Sequence, residues 1–523
     1  MEAQELGRIS LRPWAILASL ASVWLLVFLV LTKIVGPLNP DEVLFSHILW
    51  LTLEGKRQFI DFYSYHFPTY FFFYDLVLPH GNGDSLQFLW AVRLSNLFVV
   101  AAYVAVLFAI ERRWALYLLP VLLLMLALSR MIEVRPDTLG LLAFNCAWAI
   151  LLIGKSSRSL VLATLLAVLG AACSARGVVM GVGFGAALAW RASINRDWRF
   201  LVVPIAVLGV GLVAGFGAYF SDPHYVELML RSTLLDPGAV LPRLSATQRI
   251  LAVDRLPQIL VTVAAMLLGV ACAARGEDRD RSGVIAIAAL AQLLLIFFDP
   301  SPFPYVYAWS IIPSLVGLSL ASRLFNVEAR GWIAAGGAVC ATLLALAMIL
   351  YPLISGREPP TGSNYRLLLD APVSAEAVHQ MPLESLVAFE LSRDRQQSLA
   401  NQLLVREELC RRIRGPVLAA WQNHPICVSD AAYDWWSVKW PNILEREPPI
   451  SSRWFETVFR DDPPQLFIWN TGIAGVPLTL NTWAASLLIG YRIEPGFAVR
   501  ADVTQAAKES SDTAANPPHN GRR

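Results

Sequence analysis

The sequence predicts an α-helical polytopic membrane protein with a small α/β domain outside the membrane. Three observations predict it. Of 523 residues, 56% are hydrophobic and only 16% charged, with a mean hydropathy of +0.52, whereas a soluble globular chain carries roughly 25% charged residues. Apolar stretches near the length that crosses a hydrocarbon core of about 30 Å recur along the first part of the chain. After about residue 355 the composition turns mixed, with charged residues, prolines and tryptophans interspersed. The 42 Lys and Arg nearly balance 40 Asp and Glu, so no nucleic-acid partner is implied, and the apolar content excludes general disorder.

About eleven spans are expected on length and apolarity: Trp14–Val35, Gln87–Ile110, Trp114–Met131, Thr138–Ile153, Leu160–Cys173, Val178–Trp190, Phe200–Phe220, Leu256–Ala274, Val284–Phe298, Tyr305–Ala321 and Trp332–Tyr351. Several are short, which leaves room for a re-entrant pair. The first follows Arg8 and Arg12 and runs into Gly36-Pro37 without a small-residue cleavage pattern, so it reads as a retained signal anchor.

Lys and Arg accumulate on the cytoplasmic side of short loops. With the N-terminus inside, the inner loops hold Arg112 and Arg113, Lys155 and Arg158, Arg191, Arg196 and Arg199, then Arg275, Arg279 and Arg281, and Arg323 and Arg330. An odd number of spans places the C-terminal part outside, in the periplasm of a Gram-negative cell. The expected organisation is a transmembrane domain over 1–355, including an external loop at 36–86, an external α/β domain over 356–502, and a disordered tail over 503–523. The external domain pairs a helical stretch around Arg393–Arg414 with strand-like runs at Pro416–Ala420, Ile426–Ser429, Gln465–Asn470 and Phe497–Val503. Its tryptophans suit core and interface packing or, as a sharper reading, glycan stacking. Cys410 and Cys427 lie where an oxidising compartment permits a disulfide. No CxxC or HExxH motif supports a zinc site.

Chemistry is expected where polar residues gather at the outer face. The loop after the first span reads Asn39-Pro40-Asp41-Glu42, then Gly55…Asp61…His66-Phe67-Pro68. Asn39 as N-cap, Pro40 at N1 and Glu42 at N3 make a capping box, with Gly55 ending the helix, which accounts for the acids structurally as well as a functional role does. Arg93, Arg135 and Arg176 fall on the same side, beside Asp137. Each arginine alone fits snorkelling or an interhelical ion pair. Together they fit an anionic ligand, because the planar guanidinium donates paired charge-assisted bonds to phosphate.

The acidic pair Asp41-Glu42 after the first span, the Gly55…Asp61…His66-Phe67-Pro68 run, the Arg135-Pro136-Asp137 triplet, the Pro302-Phe303-Pro304-Tyr305 stretch and the external C-terminal domain resemble, in order and sidedness, the GT-C superfamily of polytopic glycosyltransferases. The pattern is similar to bacterial relatives of protein mannosyltransferases and of the lipid A aminoarabinose transferase. That resemblance implies an inverting transfer of a sugar from a polyprenyl-phosphate donor to a lipid, glycan or protein hydroxyl, among membrane lipids at the outer face of the plasma membrane. It makes Asp41 the general base, with Glu42 orienting it or helping to hold a divalent cation, which some members use and others do not. It makes Arg135, Arg176, His66 and Arg93 candidates for the donor phosphate, and Asp61, Asp137 and Tyr305 supporting or acceptor-side residues. The chain departs from many relatives at His66, where they carry a lysine before the proline. Two other classes stay open: a lipid or oligosaccharide transporter, against which no repeat symmetry is evident, and a glycan polymerase of the cell envelope. A non-catalytic scaffold would tolerate Asp41→Asn.

Overall fold

Helices fill most of the expected spans. The computed structural model describes residues 2–34, 36, 40–55, 85–129, 131–219, 255–299, 304–324, 336–344, 346–347, 350, 354, 373–391, 399–413, 417–419, 456, 459–461, 463–468, 482–494 and 497–501. Contacts divide the chain into two units. The first comprises Met1–Gly36, His66–Phe73 and Ala91–Arg366; the second comprises Pro37–Tyr65, Tyr74–Trp90 and Leu367–Arg523.

In chain order the helices of the first part are α1 (Glu2–Lys33), α2 (Pro40–Leu53), α3 (Ser85–Ile110), α4 (Ala115–Leu128), α5 (Pro136–Ile153), α6 (Ser157–Cys173), α7 (Ala175–Asn195), α8 (Arg199–Tyr219), α9 (Leu256–Ala274), α10 (Arg279–Phe298), a 3-10 helix at Pro304–Ala308, α11 (Ile311–Ser319) and the short α12 (Ala321–Leu324). Among the described residues, six helices are long and apolar enough to cross a membrane: α1 from Pro13, α3 from Ala91, α5, α7 from Arg176, α9 and α10. Residues 336–344 are helical as well.

Local chemistry sets the helix ends. Ser156 caps α6 by accepting from the Ser159 N–H at 3.1 Å, which satisfies one of the donors a helix start leaves unpaired. Pro136 opens α5 behind an extended Arg135, where a missing N–H costs nothing. In the second unit, α2 starts at Pro40 and stops before Gly55, whose φ of +79° is one that a side chain resists.

Small residues bring helices of the first unit together, as expected where lipid supplies no hydrophobic drive between them. Helix α5 packs on α6, and a Cβ on Gly170 would overlap the Phe144 ring and stand 2.9 Å from the Gly140 carbonyl. Helices α9 and α10 pair, α10 lies on α7, and α11 lies on α9 and α5. Between them, Phe144 meets Trp309 edge-on at 5.6 Å, and Trp148 meets Phe184 at 5.1 Å.

The expected span Tyr305–Ala321 is not one helix, which corrects the sequence reading. It begins as a 3-10 turn, breaks at Trp309-Ser310, and resumes as α11, only 9 residues long, or about 13 Å at 1.5 Å per residue. Two buried amides supply what the interrupted ladder lacks. Asn145, halfway along α5, donates from Nδ2 to the Ala308 carbonyl at 3.0 Å and accepts the Ile312 N–H on Oδ1 at 2.9 Å. Gln292 of α10 donates to the Val306 carbonyl at 2.6 Å and accepts the Ser310 N–H at 3.0 Å.

In the second unit, helices α13 (Ala375–Gln380), α14 (Leu383–Leu391) and α15 (Leu399–Arg412) precede strand β1 (Val417–Ala419); β2 (Leu466–Ile468), α16 (Thr482–Leu487), β3 (Tyr491–Glu494) and β4 (Phe497–Arg500) follow. The sheet order is β1-β2-β4-β3, with β1 parallel to β2 and the other pairs antiparallel. Val378, Leu386, Val405 and Leu409 of the helices bury Leu466, Phe497 and Val499 of the sheet. Three of the expected strand-like runs hold β1, β2 and β4; the Ile426–Ser429 run lies outside the described residues. Sequence reading missed β3, where Arg492 and Glu494 dilute the apolar pattern. Cys410 is disulfide-bonded, while Cys146, Cys173, Cys272 and Cys340 are free; Cys427 lies outside the described residues. So do the tail 503–523 and residues 221–254 between α8 and α9, while the side chains of the seven tryptophans at 421, 435, 436, 440, 454, 469 and 483 are likewise not described.

Two predictions follow from these networks. Asn145→Leu orphans the Ala308 carbonyl and the Ile312 N–H in an apolar interior, and a buried unpaired group costs about 1–3 kcal/mol. The variant in detergent therefore melts well below the wild type in a thermal unfolding scan, and an unchanged midpoint would refute the bracing role. On α15, Glu408 accepts from Arg411 at 2.8 and 2.9 Å and from Arg412 at 2.7 Å. The Arg411 bond, then that of Arg412, holds its carboxyl at about 2, below the ordinary value of 4.5. A depressed folded pKa means that the contribution is whole above about pH 4.5 and fades as pH falls toward 2. Hydrogen exchange over 399–412 should show Glu408→Gln less protected than wild type at pH 6, with the difference shrinking at pH 3.

Candidate functional site

One end of the first unit gathers buried charge. The C-terminus of α1, the N-termini of α5 and α7, the C-terminus of α10 and the 3-10 helix meet there. Lys33, the last residue of α1, is 3% exposed and donates to Glu133 at 2.8 Å. Glu133 reaches Arg135 with its other oxygen at 3.7 Å. The Arg135 guanidinium stands over the Tyr305 ring, 4.5 Å from its centroid.

Arg176, in the first turn of α7, approaches the same ring at 5.1 Å and donates from Nη1 to the Tyr305 hydroxyl at 3.1 Å. Its Nε donates to Asp299 Oδ2 at 2.6 Å. Among the described residues Nη2 of Arg176 makes no hydrogen bond, and the side chain is 23% exposed. Asp137, buried in the first turn of α5, acts electrostatically on both Arg176 and Tyr305 and complements the positive end of its own helix.

The structure thus brings together three of the residues marked in the sequence, Arg135, Arg176 and Tyr305, with Asp137 acting on two of them. Arg93 is engaged differently. It is 2% exposed and donates from Nη1 to the carbonyls of Ile34 and Gly36 at 3.1 and 2.9 Å, the groups that the end of α1 leaves unpaired. Glu42 is 1% exposed within α2 of the second unit. Asp41 is the second residue of α2, and its side chain lies outside the described residues, as do His66 and Asp61 entirely. Among the described residues no cluster of His, Cys, Asp or Glu could hold a metal ion.

Sequence reading missed Lys33, Glu133 and Asp299. Their signal was present: each is an ionisable residue at one end of an apolar stretch, a position that is expensive without a partner. Glu133 lies two residues before the Arg135 triplet, and Asp299 directly follows an expected span.

The Lys33–Glu133 pair is testable as a buried ion pair. Lys33→Met leaves Glu133 with the more distant Arg135 at 3.7 Å, and breaking a buried pair costs roughly 3–5 kcal/mol. The melting temperature should fall in Lys33→Met and recover substantially when Glu133→Gln is added. A double variant no more stable than the single one would show that Glu133 is held chiefly by Arg135.

The sequence matches no family model. No curated protein matches it. Among solved structures, the crystal structure of ArnT from Cupriavidus metallidurans in the apo state matches over 94% of this chain and 99% of that one, with a TM-score of 0.52 at 16% identity. Similarity of that extent at that identity is similarity of fold, and the chain is a polytopic membrane protein with the GT-C fold.

Proposed function

We propose that this chain is a glycosyltransferase that moves a sugar from a polyprenyl-phosphate donor to a hydroxyl acceptor at the outer face of the plasma membrane. The observation that carries the reading is the pair of guanidinium groups on one tyrosine, in a chain with the GT-C fold. Asp299 anchors the Nε edge of Arg176 and Tyr305 takes Nη1, which leaves Nη2 as a preorganised donor. An arginine fixed this way stabilises charge as it develops without reorganising at the moment of reaction.

In the proposed reaction the acceptor oxygen attacks the anomeric carbon as the bond from that carbon to the phosphate oxygen breaks, inverting the configuration. The lipid phosphate leaves with the bonding electrons and gains negative charge, which Arg176 and Arg135 meet. The acceptor proton passes to a base. The family resemblance gives that role to Asp41, with Glu42 beside it and Asp137 and Tyr305 tuning the arginines. His66 and Asp61 keep the roles that the same motif implies, and Arg93 acts through the end of α1. The donor sugar and the acceptor, whether lipid, glycan or protein, are to be read out by assay.

The test uses purified protein, a panel of radiolabelled polyprenyl-phosphate sugars and a membrane-lipid acceptor extract. Asp41→Asn should abolish transfer in a folded protein, and removing a general base typically costs 10²–10⁴-fold. Arg176→Lys keeps the charge but loses the fork, so kcat should fall by roughly tenfold or more while folding persists. Wild-type rates in a folded Asp41→Asn protein would refute the assignment of the base. Transport of the donor without transfer would favour the transporter reading.

A further inference from the structure

The opposite end of the first unit carries a cavity that the proposed reaction does not use. It is an open cleft of about 390 Å³ lined by Glu111, Arg112, Arg113, Trp114, Arg281 and Arg323, among others. These come from the α3–α4 turn, the start of α10 and the end of α12. Four arginines thus face one glutamate. Arg281 pairs with Glu111, and its buried Nε has no hydrogen-bond partner among the described residues. Arg323 pairs with Asp278 at 3.2 Å. Arg112 and Arg113 are exposed and make no ion pair among the described residues.

Such a surplus calls for an anion, and the surroundings decide which kind. Apolar side chains lie exposed along α3 toward the cavity: Leu94 and Phe98 are 52% and 78% exposed, and Phe108, beside the cavity-lining Ala109, is 38% exposed. Their spacing of four and ten residues keeps them on one helix face. Trp114 and Tyr117, with ring centroids 5.9 Å apart, stand at the start of α4, the kind of position that interfacial aromatics occupy at a bilayer boundary. A free phosphate would use the arginines alone. An amphiphile uses both the arginines and the apolar side chains.

We infer that this cavity binds the headgroup of an anionic glycerophospholipid, with its acyl chains along α3. The headgroup phosphate takes donors from Arg112, Arg113 and Arg281, and Glu111 holds Arg281 in place. Basic pockets between membrane helices are suited to anionic headgroups, and each arginine adds about 1 kcal/mol, or roughly fivefold, near an anionic surface.

The experiment is native mass spectrometry of the full-length protein titrated with dioleoyl-phosphatidylglycerol or dioleoyl-phosphatidylcholine. The wild type should retain the anionic lipid in preference to the zwitterionic one. Arg112→Gln with Arg113→Gln should weaken that retention by roughly 25-fold. Lys155→Gln with Arg158→Gln, two exposed basic residues at the same end, should leave it unchanged. Equal retention by the Arg112→Gln/Arg113→Gln protein overturns the proposal. So does displacement by equimolar inorganic phosphate, which marks a free-anion site, or far stronger competition by polyprenyl phosphate, which marks a site for the donor's carrier. Should the double variant melt early, the wild type decides alone: retention must fall as ammonium acetate rises, and an unchanged retention refutes it.

Discussion

Irregular backbone inside a membrane protein survives only where side chains of the protein satisfy it. In this chain that condition is met by two amides. Asn145 and Gln292 approach the segment 306–312 from α5 and α10 and together pair two carbonyls and two N–H groups that no helix ladder reaches. Without them the 3-10 turn would be an expensive defect. With them it is a rigid shelf, and Tyr305 is set on it between the N-termini of α5 and α7.

The charges at that end depend on the shelf in turn. Arg135 and Arg176 come from different helices, and what they share is the Tyr305 ring. Cation–π contact is worth more when the partners are desolvated, and here Tyr305 is 4% exposed. Each guanidinium also has a carboxylate, Glu133 for Arg135 and Asp299 for Arg176, so neither is buried as a bare charge. The matching offsets part of the desolvation cost that unpaired arginines would carry and fixes where their remaining donors lie. A ligand phosphate meeting this cluster would find orientation prepared more than bulk positive charge.

How much of this was legible follows from range. The Arg135-Pro136-Asp137 triplet announced a helix start, and Gly55 announced a helix stop, because caps and glycines act on residues within one turn of themselves. The apolar stretches announced their helices for the same reason. The Lys33–Glu133 pair joins residues 100 apart, and Arg176–Asp299 joins residues 123 apart; no local pattern encodes such distances. The break at Trp309-Ser310 was hidden because its residues are apolar enough for a span, and the amides that permit it lie on other helices. Arg93 had the composition of a ligand contact, yet its Nη1 closes the end of α1, a use that only the fold displays.

The two ends of the first unit use arginine in different ways. At the Tyr305 end each of the two guanidiniums has a carboxylate and a shared ring, so position is fixed and long-range field is small. At the Glu111 end Arg112 and Arg113 stand exposed without carboxylates among the described residues, so field is large and position loose. A fixed donor serves a step in which charge develops over a fraction of an ångström, since misplacement there forfeits the stabilisation. A loose positive field serves capture from a crowded two-dimensional solvent, where attraction acts over about a Debye length before contact. Antiparallel helices that begin basic at one boundary and end in paired charge at the other place both devices on one frame. One helix carries a part of each: the first turn of α10 holds Arg281, and its C-terminal cap is Asp299, the residue that fixes Arg176.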